Sequence, residues 1–131
     1  MVTPKQAEKM LSKWIQALRL QAWEVSCVWV EADRLDSGET DLIEWATVAA
    51  DPARWQATLT VALKRSSEDV EQTILHECLH LLLAEWTGTV ATARSYVPAA
   101  LYALVEQQRY DAEERAVELL ERALWRLSTA T

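Results

Sequence analysis

The chain holds only two histidines among its 131 residues, and they stand four positions apart with a glutamate between them, in the run His76-Glu77-Cys78-Leu79-His80. This H-E-x-x-H pattern constrains the local fold. On an α-helix, positions i and i+4 leave the same face, about 40° apart in projection and one turn from each other. Two imidazoles held that way can grip a single ion. Zinc suits them, because its bonds to histidine nitrogen are about 2.0–2.1 Å long and a catalytic site uses three protein ligands, leaving the fourth position to water. Glu77 lies too far round the helix to join the ligands but is well placed to take a proton from such a water. The alternative is a helix that uses its two histidines only for packing and capping.

The flanking sequence predicts which elements carry the motif. Thr3-Pro4-Lys5-Gln6 has the form of a capping box with proline at the first helical position, and Met10, Leu11, Trp14, Ile15 and Leu18 follow at helical spacing, so a first helix is expected near residues 4–20. From Trp23 to Glu31, β-branched and aromatic residues predict a strand with apolar character on both sides. Asp36-Ser37-Gly38-Glu39 is turn chemistry, Leu42 to Ala49 suits a second strand, and Asp51-Pro52 suits another turn. Trp55, Ala57, Leu59, Val61 and Leu63 then alternate with mostly polar residues through a third strand. Three strands separated by turns suggest an antiparallel meander.

Ser66 is a natural N-cap for the motif helix, with Glu68 and Asp69 in its first turn and Gly88 as its stop. Leu75, Leu79, Leu82, Leu83 and Trp86 form an apolar stripe that the two histidines border, which sets a bound ion at the rim of a cleft. Thr89 to Val97 is expected to be a loop, and Pro98 to open a last helix or helix pair. The expected fold class is therefore α+β, with an N-terminal helix, a small antiparallel three-stranded sheet, the motif helix and a C-terminal helix or helix pair, in one domain spanning residues 1–131.

Two histidines make an incomplete zinc site, and with no third histidine in the chain the remaining ligand must be a carboxylate or a cysteine. Glu85 projects to the opposite side of the motif helix, so a second helix must supply it. The acidic cluster Asp111-Ala112-Glu113-Glu114 is the obvious source. With Ala116 to Leu127 marking the buried face of the last helix, Glu113 projects nearer its centre and Glu114 nearer its margin, which favours Glu113 by little. Alternatively both belong to a solvated charged face with Arg109, Arg115 and Arg122.

Half of the residues are hydrophobic and seven are tryptophans, enough to build a core without metal or disulfide staples, so the metal is expected to be functional. Cys27 and Cys78 each sit in an apolar stretch and suit buried free thiols in a reducing cytosol. The start, Met1-Val2-Thr3-Pro4-Lys5, has no apolar leader segment and no stretch approaches a membrane span, so a cytoplasmic protein without membrane contact is expected. A net charge of −7 and the lack of a dense basic run argue against nucleic acid as a partner.

Taken together, helix, small sheet, HExxH helix and a later glutamate-bearing helix resemble the minimal gluzincin metallopeptidases, in particular small zincin-like proteins often encoded by phages and prophages. The likeness rests on Ile74-Leu75-His76-Glu77-Cys78-Leu79-His80-Leu81-Leu82-Leu83 and, more weakly, on Glu113-Glu114-Arg115-Ala116-Val117. It implies that His76 and His80 bind zinc, that Glu77 is the general base, that Glu113 or Glu114 completes the site, and that a peptide or protein is the substrate. It also implies that the strand before the motif helix, Trp55 to Lys64, is a sheet edge that receives the peptide. Gluzincin peptidases commonly place a His or Tyr on the far side of the metal, and here only Tyr96, Tyr102 and Tyr110 could serve. The alternative to a peptidase is a metal-stabilised binding or regulatory module that keeps the scaffold without turnover.

Overall fold

The computed structural model describes residues 1–35, 44–92 and 98–129, with side chains in the motif helix described as far as Ala84. The expected turn at Asp36-Ser37-Gly38-Glu39, the first residues of the expected second strand and Tyr96 lie outside the described residues, as do the side chains of Glu85 and Trp86.

Helix α1, Pro4–Ala17, opens with the expected capping box: the Gln6 amide donates to the Thr3 hydroxyl at 3.2 Å, and the Thr3 amide donates to Gln6 Oε1 at 2.9 Å. It stops short of residue 20. Arg19 enters the left-handed region at φ 56°, its amide reaches back to the Gln16 carbonyl, and the Leu20 amide reaches the Ile15 carbonyl. This pair of bonds satisfies the last carbonyls as a Schellman turn does, and it lets Leu20 join the core from beyond the helix end.

Strands β1 (Glu24–Val30), β2 (Ala46–Asp51) and β3 (Gln56–Ala62) form one mixed sheet in the order β1-β3-β2. β1 runs parallel to β3, pairing Glu24 with Gln56 through to Val30 with Ala62, and β2 runs antiparallel to it, pairing Ala46 with Val61 and Asp51 with Gln56. The expected antiparallel meander is therefore wrong. Alternation in the sequence says which face a residue takes, not which strand lies beside it. The order follows burial and not apolar content: β1 is richer in apolar residues, but β3 carries Leu59, Val61 and Ala62, all essentially inaccessible, whereas no residue of β1 or β2 is fully buried, so the strand packed deepest takes the centre. The Asp51-Pro52 turn is present, and the hairpin it begins returns through Trp55 at φ 55°. Trp55 meets Trp23 edge to face at 5.3 Å.

Helix α2, Ser67–Thr92, starts as expected, with the Ser66 hydroxyl accepting from the Asp69 amide at 3.2 Å. It does not end at Gly88, and residues 89–92, expected in a loop, are helical. One interior glycine costs a helix only about 1 kcal/mol, which a long packed helix absorbs. α2 is the hub of the molecule, touching α1, β2, β3 and the last helix. Its buried residues, among them Val70, Ile74, Leu75, Cys78, Leu79 and Leu81, consequently wrap well beyond the narrow stripe expected, while Leu82 is exposed. Each such aliphatic side chain contributes roughly 1.5–3 kcal/mol by leaving water. Helix α3, Ala99–Thr129, is a single helix packed on α2, with Val117 and Glu113 as its buried residues. Among the described residues no helix is long and apolar enough to cross a membrane.

Candidate metal centre

α2 and α3 supply all the polar groups at the centre of the site, running antiparallel so that the earlier histidine of α2 meets the later glutamate of α3. His76 and His80 stand one turn apart with ring centroids 5.1 Å from each other. Glu114 faces them both: its Oε1 is 3.0 Å from His80 Nε2 and its Oε2 is 4.0 Å from His76 Nε2. One donor atom from each of these three residues can be chosen so that all lie within 4.8 Å of one another. A tetrahedral ion with bonds of about 2.0–2.1 Å sets neighbouring donors roughly 3.3–3.5 Å apart, so two imidazole nitrogens and one carboxylate at these spacings fit a zinc ion.

The far side of each imidazole is held by its own carboxylate. His76 Nδ1 lies 2.7 Å from Glu121 Oε2, and His80 Nδ1 lies 2.8 Å from Glu113 Oε1. An ionised carboxylate only accepts hydrogen bonds, so both Nδ1 atoms must donate, and the Nε2 atoms are the ones left for a metal. Glu113 is 8% exposed and is also bound by Arg109, whose guanidinium bridges it to Glu106. That bond holds the Glu106 carboxyl below the usual range. Of the two adjacent glutamates, Glu114 thus faces the open Nε2 atoms and Glu113 braces His80 from behind. Projection onto an apolar face favours Glu113 because it ranks carboxylates by burial, and here the more buried carboxylate is the one behind His80.

Glu121 was not singled out in the sequence. It lies seven residues after Glu114, two helical turns on the same face, and that spacing was the available signal. Its hydrogen bond is the main cause that raises the His76 pKa above the ordinary value, against the opposing effect of burial.

Glu77 is 9% exposed and sits where α2 meets the rest of the core. Burial pushes its carboxyl up from 4.5 to about 7, with the charges of His80 and His76 pulling the other way. A carboxyl poised there takes up and releases a proton near neutral pH. Beside it, burial pushes the Cys78 thiol up to about 12, and both Cys27 and Cys78 are free thiols.

Glu77, His76, Glu114 and Glu121 line one side of a cleft of about 580 Å³, whose other walls include Trp45, Ala46, Arg65, Thr73 and Tyr110. Arg65 ties the walls together: its guanidinium lies 4.5 Å from the Trp45 ring centroid and donates to Thr73 Oγ1 at 2.9 Å. Tyr110 is one turn before Glu114 on α3, and the Glu114 charge raises its pKa, which keeps the phenol protonated. The strand that reaches this cleft is β2. β3 has a neighbour on each side, so Trp55 to Lys64 cannot be a free edge. The Ala62 amide donates to the Trp45 carbonyl at 2.9 Å, which turns the backbone groups of the next residue, Ala46, away from β3, to the side on which the Leu35 amide bonds the Glu44 carbonyl at 2.7 Å.

Comparison with protein-family models, curated proteins and solved structures gave no match to this chain.

Proposed function

We propose that the protein is a zinc-dependent metallopeptidase of the gluzincin type, with His76, His80 and Glu114 as metal ligands and Glu77 as general base. One observation carries the proposal: two Nε2 atoms and a carboxylate converge while each Nδ1 is separately held by Glu121 or Glu113. Histidines used only for packing have no need of that second layer of carboxylates. A zinc ion in this place supplies Lewis acidity, polarising a scissile carbonyl and acidifying a water molecule. Glu77 accepts the proton of that water and returns it to the leaving amine, a task suited to a carboxyl poised near neutral pH. The Tyr110 hydroxyl donates to the carbonyl oxygen as negative charge grows on it. An extended peptide adds to the β2 edge at Ala46, with Trp45 offering it an apolar wall.

The test is elemental analysis of purified protein followed by a peptide-library digest, with Glu114→Ala, Glu113→Ala and Glu77→Gln beside wild type. Stoichiometric zinc, lost in Glu114→Ala, with turnover abolished but zinc retained in Glu77→Gln, is the expected result. Zinc retained without turnover in wild type points instead to a metal-stabilised binding module. A wild type that takes up no zinc ends the proposal.

A further inference from the structure

A stripe of α3 that turns away from the metal site is mostly apolar, interrupted at Arg109, whose guanidinium turns back to Glu106 and Glu113, and edged by Gln108 and Arg126. Leu101, Val105, Ala112, Leu119, Ala123 and Leu127 fall within about 80° of one another in helical projection, and the middle of that arc is about 130° round the helix from Val117. Leu101 is 49% exposed, Leu119 66% and Leu127 69%. From Leu101 to Leu127 the stripe runs for about 39 Å. Amphipathic helices bury such a stripe, and α3 already buries a different one against α2.

Beside the stripe, on one flank, stand Asp111, Arg115, Glu118 and Arg122. Among the described residues none of these four forms an ion pair. Their order is self-complementary about a point between Ala116 and Val117. When a second α3 is laid antiparallel across that point, Asp111 meets Arg122 of the other copy and Arg115 meets its Glu118, each pair made twice by symmetry. The same register sets Leu119 against Ala112 and Leu127 against Val105, large side chains facing smaller ones, with the two Ala116 residues at the axis. A parallel arrangement would bring the charged flank against the opposite flank, which carries Tyr102 and Leu120, and leave the charges unmatched. A two-helix contact of this length buries on the order of 800 Å² per partner, the size of a standard specific interface.

We infer that the protein forms a homodimer through an antiparallel α3–α3 contact centred near Ala116. Glu114 and Glu121 lie on the far side of the helix from this contact, so both clefts stay open in the dimer.

Sedimentation equilibrium on the full chain tests the inference. Wild type is a dimer, and Leu119→Glu, a change at an exposed position, is a monomer with unaltered circular dichroism. Arg122→Glu sets like charges together at two symmetric places and weakens association at least about tenfold. The double variant Asp111→Arg/Arg122→Glu restores it. Because residues 111 and 122 are about 16 Å apart within one helix, that rescue can arise only between chains. A wild type that is monomeric at about 100 µM overturns the inference, since an interface of this size associates well below that concentration. So does a dimer that the double variant fails to restore.

Discussion

Replacing Glu77 by glutamine separates the cost of holding a charge in the core from everything else the site does. Burial is the main reason the Glu77 carboxyl is carried from 4.5 to about 7, and a change of that size corresponds to about 3 kcal/mol. The folded protein holds the Glu77 proton more tightly than the unfolded chain does. The associated stability is fully present below pH 4.5 and is lost as the pH rises through about 7. Glutamine is nearly isosteric and cannot ionise, so it escapes this loss. His76 also has a raised pKa, chiefly through its bond to Glu121, a contribution common to both proteins; the smaller part that comes from the Glu77 charge is lost with the substitution. In chelator-treated protein the stability of Glu77→Gln relative to wild type should therefore grow by about 3 kcal/mol between pH 4.5 and pH 8. Urea denaturation at a series of pH values measures it directly, and melting temperatures should diverge by roughly 10 °C over the same range. Any constant packing penalty of the amide drops out, because only the change with pH is compared. Two stability curves that stay parallel across this range would refute the assignment of Glu77 as a carboxyl whose ionisation burial delays to near neutral pH.

The braces of the site should act on affinity rather than on ligation itself: Glu121→Gln and Glu113→Gln are each expected to weaken zinc binding by about 10–100-fold in a competition titration, with stoichiometry preserved. Tyr110→Phe should lower kcat by about tenfold or more with little change in KM, since the hydroxyl is proposed to act as charge develops on the carbonyl oxygen. Arg19→Gly should stabilise the fold by roughly 0.5–1 kcal/mol in chemical denaturation, because it removes the left-handed penalty at the end of α1. Leu79→Ala, at a fully buried position of α2, should destabilise by about 2–5 kcal/mol in the same assay.

Local chemistry was legible from sequence and long-range pairing was not. The capping box at Thr3 and the serine cap at Ser66 are decided by residues within one turn of themselves, and both appear where the pattern placed them. The sheet order depends on which strand packs deepest beneath the helices, a tertiary property that neither alternation nor apolar content reveals, since β1 is richer in apolar residues and still lies at an edge. The same distinction holds at the site. His76, Glu77 and His80 are one helical turn and were visible at once, whereas Glu121 reaches His76 only because α3 runs antiparallel to α2 in one particular register. The part of the cleft made by Trp45, Ala46 and Arg65 is a product of β2 lying at the edge, which the alternation of the third strand does not reveal.

Of the apolar residues of α3 only Val117 is fully buried, with Leu124 and Trp125 packed half-buried on the core, so the hydrophobic hold of this helix on the body of the protein is short for its length. His76, His80, Glu113, Glu114 and Glu121 all lie in the seam between α2 and α3. An ion held there would act as a clasp, fastening a loosely glued helix, and ion uptake and helix docking would be one equilibrium seen from two sides. Chelation should then speed amide hydrogen exchange in α3 while leaving α1 and the sheet as protected as before. The clasp would also give the cell a physical handle on the protein, since any scarcity of the ion would be felt first as a helix coming undone.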